Sequence, residues 1–203
     1  MKSVYLARHG HLELPTGGDG VQLLYGPNDP LSQKGFEQAD MLADFLFKTA
    51  AFARIETSPN LRAFQTAERI SIKFGGIPII SHKGLRAADL LYYSNQPLVR
   101  FLQDGQNPFS VAHEGNETLE EYEKRVLETF EEITFNRNDP VLIVGHGEAI
   151  KLLMHRLRHP EGPPSFGESV DYGQALGLTL DEYGKLIHSV SIPEETKPRG
   201  ELR

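Results

Sequence analysis

Two short stretches of this chain place a histidine beside a glycine directly after an apolar run. The run at 4–7 leads into Arg8 and His9, and the run at 141–144 leads into His146. Both runs have the length and composition of buried strands. In an open α/β sheet, ligands bind beyond the carboxyl ends of the strands. The two stretches therefore predict one site that contains two imidazoles and a guanidinium.

These residue types suit the transfer of a phosphoryl group. The reaction needs cations around the phosphate oxygens and a nucleophile held in line with the leaving group. A neutral imidazole such as His9 can be that nucleophile and form a covalent intermediate. Arg8 and Arg62 can bind phosphate oxygens, Arg62 from the first turn of a predicted helix. His146 and the helix amino terminus at Gly147 complete a candidate phosphate site.

Each of these residues also has a purely structural interpretation. An arginine in a first helical turn is commonly solvated, a histidine at a strand end is commonly structural, and the glycines can be simple turn formers. The placement of three basic segments at the ends of strands, or just after them, favours the phosphate pocket over these alternatives.

Helix patterns follow several of the predicted strands. Ser32, Ser58 followed by Pro59, and Thr118 are the predicted N-caps of three helices, with Thr118 in a capping box. A further helix is predicted near 148–158. The alternation of strands and helices predicts an α/β fold with a largely parallel sheet.

The carboxyl-terminal part of the chain has a different pattern. Strands at 175–180 and 186–191 flank a turn and predict a hairpin. We expect one catalytic domain at 1–192, followed by a polar tail at 193–203. The loop at 12–30 and the irregular segment at 82–116 are expected to shape the pocket for the leaving group.

Composition narrows the function classes. Of 203 residues, 39% are hydrophobic and 24% are charged, as in ordinary globular proteins. The net charge of −7 argues against nucleic acid or an anionic membrane as a partner, because both need a basic surface. No apolar run approaches the ~20 residues of a membrane span. We see no secretion signal and expect a cytoplasmic protein. The absence of cysteine excludes disulfides, thiolate metal sites and a cysteine nucleophile.

Five segments of the chain resemble, in order, the histidine phosphatase superfamily in its phosphoglycerate-mutase-like branch. They are L-A-R-H-G at 6–10, N-D-P-L-S-Q-K-G-F-E-Q-A at 28–39, S-P-N-L-R-A-F-Q-T-A at 58–67, G-N-E-T-L-E-E-Y-E-K-R-V at 115–126 and V-G-H-G at 144–147. The resemblance implies a three-layer α/β/α sandwich with a largely parallel central sheet. It implies a phosphohistidine intermediate on His9, with Arg8, Arg62 and His146 binding the phosphoryl group. It implies no metal and no other cofactor.

The chain departs from the family pattern where the proton donor is expected. The family commonly has a glutamate two residues after a leucine, and the matching positions here are Leu85 and Ala87. Alanine cannot donate a proton, so the acid is missing or has moved. Asp89 is the nearest carboxyl group and is the candidate acid, although it can equally be a solvated loop residue. Weaker candidates are His11, Glu13, Glu114 and Glu148. The polar residues that commonly follow R-H-G are also replaced, by His11, Leu12 and Pro15.

These observations predict a phosphatase that acts on a small phosphorylated metabolite. Alternatives are a phosphoprotein or phosphohistidine phosphatase, a weakly active phosphate-binding module and, less favoured, a phosphoglycerate mutase. A metallohydrolase that uses His9 and His11 is a remote alternative, because no carboxylate motif accompanies the two histidines. The sequence leaves the substrate and the oligomeric state open.

Overall fold

The computed structural model describes residues 1–192 apart from 95, 106–108, 110, 136–138 and 168–169. The predicted tail at 193–203 lies outside the described residues. The strands are β1 (Lys2–Arg8), β2 (Ile55–Thr57), β3 (Ile79–Ser81), β4 (Val141–Gly145), β5 (Ala175–Leu180) and β6 (Leu186–Ile192). The helices are α1 (Gln33–Thr49), α2 (Leu61–Lys73), α3 (Leu98–Gln103), α4 (Leu119–Thr134) and α5 (Gly147–Arg158), with single 3₁₀ turns at Lys83–Leu85 and Leu91–Tyr93.

One sheet with the strand order β3-β2-β4-β1-β5-β6 forms the centre of the described structure. The first four strands of that order are parallel to one another. β5 runs antiparallel to both of its neighbours, β1 and β6. The prediction of a largely parallel sheet and a carboxyl-terminal hairpin is therefore confirmed. Because β1 and β4 are parallel neighbours with Arg8 opposite Gly145, the residues that follow them, His9 and His146, emerge side by side.

Side chains on alternate faces of the sheet belong to two separate cores. Val141 and Ile143 pack with the buried faces of α4 and α5. Leu142 and Val144 pack with α1 and α2. A strand that is apolar on both faces must be covered on both faces. The helices therefore form one layer on each side of the sheet, as the resemblance implied.

Two of the three predicted helix starts are confirmed and the third is wrong. The Ser32 hydroxyl accepts from the backbone of Gly35, and Thr118 forms a capping box with Glu121. At the third helix Ser58 does not cap: α2 begins at Leu61, after Asn60. The difference arises because the Ser58 hydroxyl bonds Asn60 and approaches His146, across the top of the sheet. Arg62 nevertheless stays in the first turn of α2.

The two irregular segments meet above the carboxyl end of the sheet. Leu23 pairs with Pro97 in an isolated β-bridge, and the Leu98 amide donates to the Gln22 carbonyl at 2.8 Å. Within the described ranges, no helix is both long and apolar enough to cross a membrane.

Candidate active site

His9 lies at the carboxyl end of β1 and is almost fully buried. Its Nδ1 is 2.7 Å from the Gly10 carbonyl, which can only accept, so Nδ1 carries the hydrogen. Nε2 therefore holds the lone pair, and it accepts from Nε of Arg62 at 3.2 Å. Burial, followed by the charges of Arg62 and Arg8, lowers the pKa of His9 to about 3. The imidazole is thus neutral and pre-oriented at physiological pH.

A close backbone approach fixes the turn after His9. A Cβ built on Gly10 would lie only 2.3 Å from the carbonyl oxygen of Gly35 in α1. Any side chain at this position would push the helix away from the end of β1. Glycine here therefore serves packing rather than turn formation.

Arg62 is buried although it carries a charge. Its side chain is 1% exposed, and its Nη1 donates to the Gly26 carbonyl at 2.7 Å. Its guanidinium carbon lies 4.8 Å from the ring centroid of Tyr25. Burial is the main cause that lowers the pKa of Arg62. Among the residues that the structure describes, Arg62 has no ion-pair partner, and a buried, unpaired cation is what an anion-binding site requires.

Arg8 lies on the other side of His9. Its Nη1 donates to the Val170 carbonyl at 2.9 Å, and its guanidinium stacks on Tyr172 at 3.7 Å from the ring centroid. Its Nε is buried and has no partner within the described part of the chain. A Cβ built on Gly147 would lie 3.1 Å from Cζ of Arg8, so glycine lets the guanidinium reach the start of α5.

His146 completes the cluster from the end of β4. Its ring centroid is 5.2 Å from that of His9, and its Nε2 is 2.9 Å from the Ser58 hydroxyl. Ser58 in turn donates to Oδ1 of Asn60 at 3.0 Å. Burial, together with the nearby charge of Arg62, lowers the pKa of His146 well below its usual value. The structure therefore brings together all four predicted side chains: Arg8, His9, Arg62 and His146.

A cavity of about 560 Å³ lies between the two irregular segments, and of the four clustered side chains Arg62 lines it. Its wall includes Arg62, Ala87 and Asp89. The backbone around Ala87 is fixed, because its amide donates to Oδ1 of Asn60 and its carbonyl accepts from Arg125. Ala87 therefore lines the cavity at the position where the family pattern has a glutamate.

Asp89 lies on the cavity wall, but in an ion pair. Oδ2 of Asp89 accepts from Nη2 of Arg86 at 2.5 Å, and Arg86 is the main cause that lowers the pKa of the Asp89 carboxyl. A carboxyl group that donates a proton near neutral pH needs a raised pKa. This geometry argues against the acid role predicted for Asp89.

The weaker acid candidates lie in different places. Nδ1 of His11 is 2.8 Å from the Ser32 hydroxyl, and its ring contacts Tyr172. Glu13 and Glu114 are exposed and are not among the residues that line the cavity. Glu148, in the first turn of α5, does line it.

Sequence reasoning missed the residues that hold the cluster in place. Tyr25 and Tyr172 pack against the two arginines, and Ser58 approaches His146. No local pattern identifies the tyrosines, since both come from irregular segments. The serine of S-P-N-L-R could have been found, because it follows β2 at the same edge of the sheet as the two histidines.

Among the residues that the structure describes, no group of three or more His, Asp or Glu side chains is placed to hold a metal ion. His9 and His11 approach the same ring of Tyr172, at 5.5 and 5.7 Å between centroids.

Comparison with known families identifies the family of this chain. Residues 4–191 match the model of the histidine phosphatase superfamily (branch 1). The match spans nearly the whole chain and includes both histidine segments, so the chain belongs to this superfamily. The fold and the residues gathered at the carboxyl ends of β1 and β4 thus define a histidine phosphatase-like protein.

Individual relatives are more distant. A Hydrogenobacter thermophilus protein provisionally named phosphoserine phosphatase 2 is 30% identical over 163 residues, which are 76% of this chain and 77% of that protein. The solved structure of Bacillus stearothermophilus YhfR is 26% identical, with a TM-score of 0.70 over 92% of this chain and 94% of that one. A mycobacterial glucosyl-3-phosphoglycerate phosphatase with bound VO3 is 19% identical, with a TM-score of 0.71 over 92% and 95% of the two chains, and supports the fold alone.

Proposed function

We propose that this protein is a metal-independent phosphatase that hydrolyses a phosphomonoester through a phosphohistidine intermediate on His9. The observation that carries the proposal is the state of His9: a buried, neutral imidazole whose Nε2 lone pair faces the buried cation of Arg62. Such an imidazole is a competent nucleophile, and Arg62 binds the phosphoryl group next to the attacking nitrogen.

The neighbouring side chains stabilise the transferring phosphoryl group. Arg8 offers its unpartnered Nε, and Arg62 offers a planar fork to two oxygens. A bound dianion raises the pKa of His146, because negative charge favours the imidazolium, and this makes the ring a hydrogen-bond donor. The backbone amide of Gly147 at the start of α5 adds a further donor.

The first half-reaction transfers the phosphoryl group from the substrate to the protein. Nε2 of His9 attacks phosphorus, the bond to the leaving-group oxygen breaks, and that oxygen takes up a proton. In the second half-reaction water attacks the phosphohistidine, the P–N bond breaks, and inorganic phosphate is released. Because the cations are fixed before the substrate binds, little reorganisation accompanies the charge redistribution.

The cavity favours a small organic phosphate over a phosphoprotein as substrate. It is bounded by both irregular segments, and their apolar residues Leu24, Leu91, Tyr93 and Phe101 contribute to its wall. A volume of about 560 Å³ lies within the range of small-molecule sites. The comparison with the provisionally named phosphoserine phosphatase points to the same substrate class.

Replacement of the nucleophile tests the proposal. His9→Ala should lose essentially all turnover of p-nitrophenyl phosphate, because no other imidazole has its lone pair beside Arg62. Wild-type protein quenched during turnover should carry acid-labile phosphate, and His9→Ala should carry none. Activity of the wild type should survive a chelator. His82→Ala is a matched control, since His82 pairs with Glu56 and neither residue lines the cavity.

Other results would separate the remaining functions. Turnover that remains near wild type in His9→Ala contradicts the proposal. A wild-type protein that binds phosphate but turns over no phosphomonoester is a binding module. Exchange of phosphate between two positions of a phosphoglycerate, faster than hydrolysis, would identify a mutase. Loss of activity with the chelator and recovery with a divalent metal would support the metallohydrolase.

A further inference from the structure

Three carboxyl groups of the described residues line the cavity, and they differ in their hydrogen-bond and ion-pair partners. Asp29 accepts from the Gly26 amide, and Asp89 pairs with Arg86. The Glu148 carboxylate makes no hydrogen bond and no ion pair with any residue in the described ranges. Of these three groups, Glu148 is therefore the one whose carboxyl is free of such partners and can exchange a proton with a bound ligand.

The position of Glu148 connects it to the phosphate end of the cavity. It is the second residue of α5 and follows the start of that helix at Gly147, next to His146. After burial, its negative charge is the next largest cause that raises the pKa of Tyr25 and of Tyr122. The same charge acts on Arg62, opposing the effect of burial on its pKa. Glu148 therefore lines the same cavity as Arg62, close enough for the two charges to interact.

On the basis of the phosphohistidine mechanism proposed above, we propose that Glu148 is the general acid and base of this protein, in place of the glutamate that Ala87 replaces. As Nε2 of His9 attacks phosphorus, the protonated Glu148 carboxyl gives its proton to the leaving-group oxygen. The resulting carboxylate then takes a proton from water. The hydroxide attacks the phosphohistidine, the P–N electron pair returns to Nε2, and Glu148 is again protonated.

A bound substrate adds negative charge near the wall of the cavity that includes Glu148. A phosphoryl group held by Arg8 and Arg62 offsets the charge of Arg62, the cation whose charge interacts with that of Glu148. Asp89 is instead held by the guanidinium of Arg86, which stabilises its ionised form. Both carboxyl groups line one cavity, but of the two only Asp89 is held in an ion pair, and this difference assigns the acid role to Glu148.

The leaving-group dependence of Glu148→Gln tests this assignment. We measure kcat/KM for p-nitrophenyl, p-methoxyphenyl and benzyl phosphate, which differ mainly in how much the leaving oxygen needs a proton. Glu148→Gln should lower kcat/KM for benzyl phosphate by about 10²- to 10⁴-fold. The value for p-nitrophenyl phosphate should fall far less. The variant should also release one burst equivalent of p-nitrophenol and accumulate phosphohistidine, because the base for the second half-reaction is missing.

Two variants control the experiment. Glu120→Gln removes the equivalent acidic side chain from the second position of α4 and should leave the leaving-group dependence unchanged. Glu148→Asp retains a carboxyl group and should recover part of the benzyl phosphate activity. Recovery of this kind shows that the carboxyl group, rather than the stability of α5, determines the rate.

Two results would contradict the acid role of Glu148. Equal slowing of all three substrates by Glu148→Gln, or a steep leaving-group dependence in Asp89→Asn instead, overturns the acid role of Glu148. The phosphohistidine mechanism is judged separately, by the turnover of p-nitrophenyl phosphate and the acid-labile phosphate of wild type and His9→Ala. The two proposals can therefore fail independently.

Discussion

The two ends of the cavity are built by different means. At the phosphate end, His9 and His146 leave parallel neighbouring strands, and Arg62 projects from the first turn of a long helix. At the leaving-group end, the wall consists of loops and short turns that are joined by isolated bridges, such as that between Leu23 and Pro97. The phosphate end therefore inherits its geometry from the sheet, whereas the leaving-group end depends on contacts between irregular segments.

The arginines at the two ends of the cavity also differ in whether a carboxylate pairs with them. Arg62 is buried and has no ion-pair partner among the described residues, so its charge remains available to an anion. Arg86 at the leaving-group end is neutralised by Asp89, and both side chains are about half exposed or less. A preorganised cation in a buried site affects a reaction strongly, whereas a partly exposed ion pair contributes little to stability. We expect substitutions at the two ends to differ accordingly.

The largest effect is expected at Arg62. Arg62→Lys should lower kcat/KM by about 10²-fold or more, nearly as much as Arg62→Ala, because an ammonium cannot replace the fork of a guanidinium. Arg69→Lys, on the same helix but in an exposed pair with Asp40, should remain near wild type. Steady-state kinetics with p-nitrophenyl phosphate measure both. A mild effect of Arg62→Lys would contradict bidentate binding at the phosphate end.

A smaller effect is expected at Ser58. Ser58→Ala removes the hydroxyl that bonds His146 and Asn60, and an unsatisfied buried group costs about 1–3 kcal/mol, or about tenfold in rate if His146 is displaced. Ser71→Ala is the matched control, because it removes a buried hydroxyl that donates to the Ile77 carbonyl instead. Thermal unfolding should shift in both variants, but only Ser58→Ala should lose activity. Equal kcat/KM in the two would show that Ser58 is purely structural.

The smallest effect is expected at the leaving-group end. The double variant Arg86→Ala/Asp89→Asn removes a partly exposed ion pair and should change the free energy of unfolding by about 0–1 kcal/mol. Its kcat/KM for p-nitrophenyl phosphate should stay within about threefold of wild type. Denaturant unfolding and steady-state kinetics provide the two measurements. A loss comparable to that of Arg62→Lys would mean that both ends of the cavity take part in phosphoryl transfer.

Hydrogen bonds from α4 fix the backbone of the segment that forms the leaving-group end, whichever side chains face the cavity. Arg125 donates to the carbonyls of Gly84, Arg86 and Ala87, and its pair with Glu117 is largely buried. The backbone of the segment is thus held from below by α4, independently of the side chains that face the cavity. A change such as the one to Ala87 alters the chemistry of the wall without altering its path.

The amino-acid sequence by itself determined the elements and the four side chains of the phosphate end. The N-caps Ser32 and Thr118 and the apolar runs before His9 and His146 depend on residues close in the chain, so local patterns predict them. Their convergence follows from one rule, that ligands bind at the carboxyl ends of parallel strands. The order of the strands then places His9 and His146 side by side.

Only the tertiary structure decided which partners Ser58 and the carboxyl groups contact. The sequence predicted that Ser58 caps a helix, but the hydroxyl approaches His146, 88 residues away. Asp89 was the nearest carboxyl to Ala87 along the chain, yet Arg86 holds it ionised, while Glu148 reaches the same cavity from another helix. Proton transfer depends on distance and on charged neighbours in space, and neither quantity can be obtained from spacing along the chain.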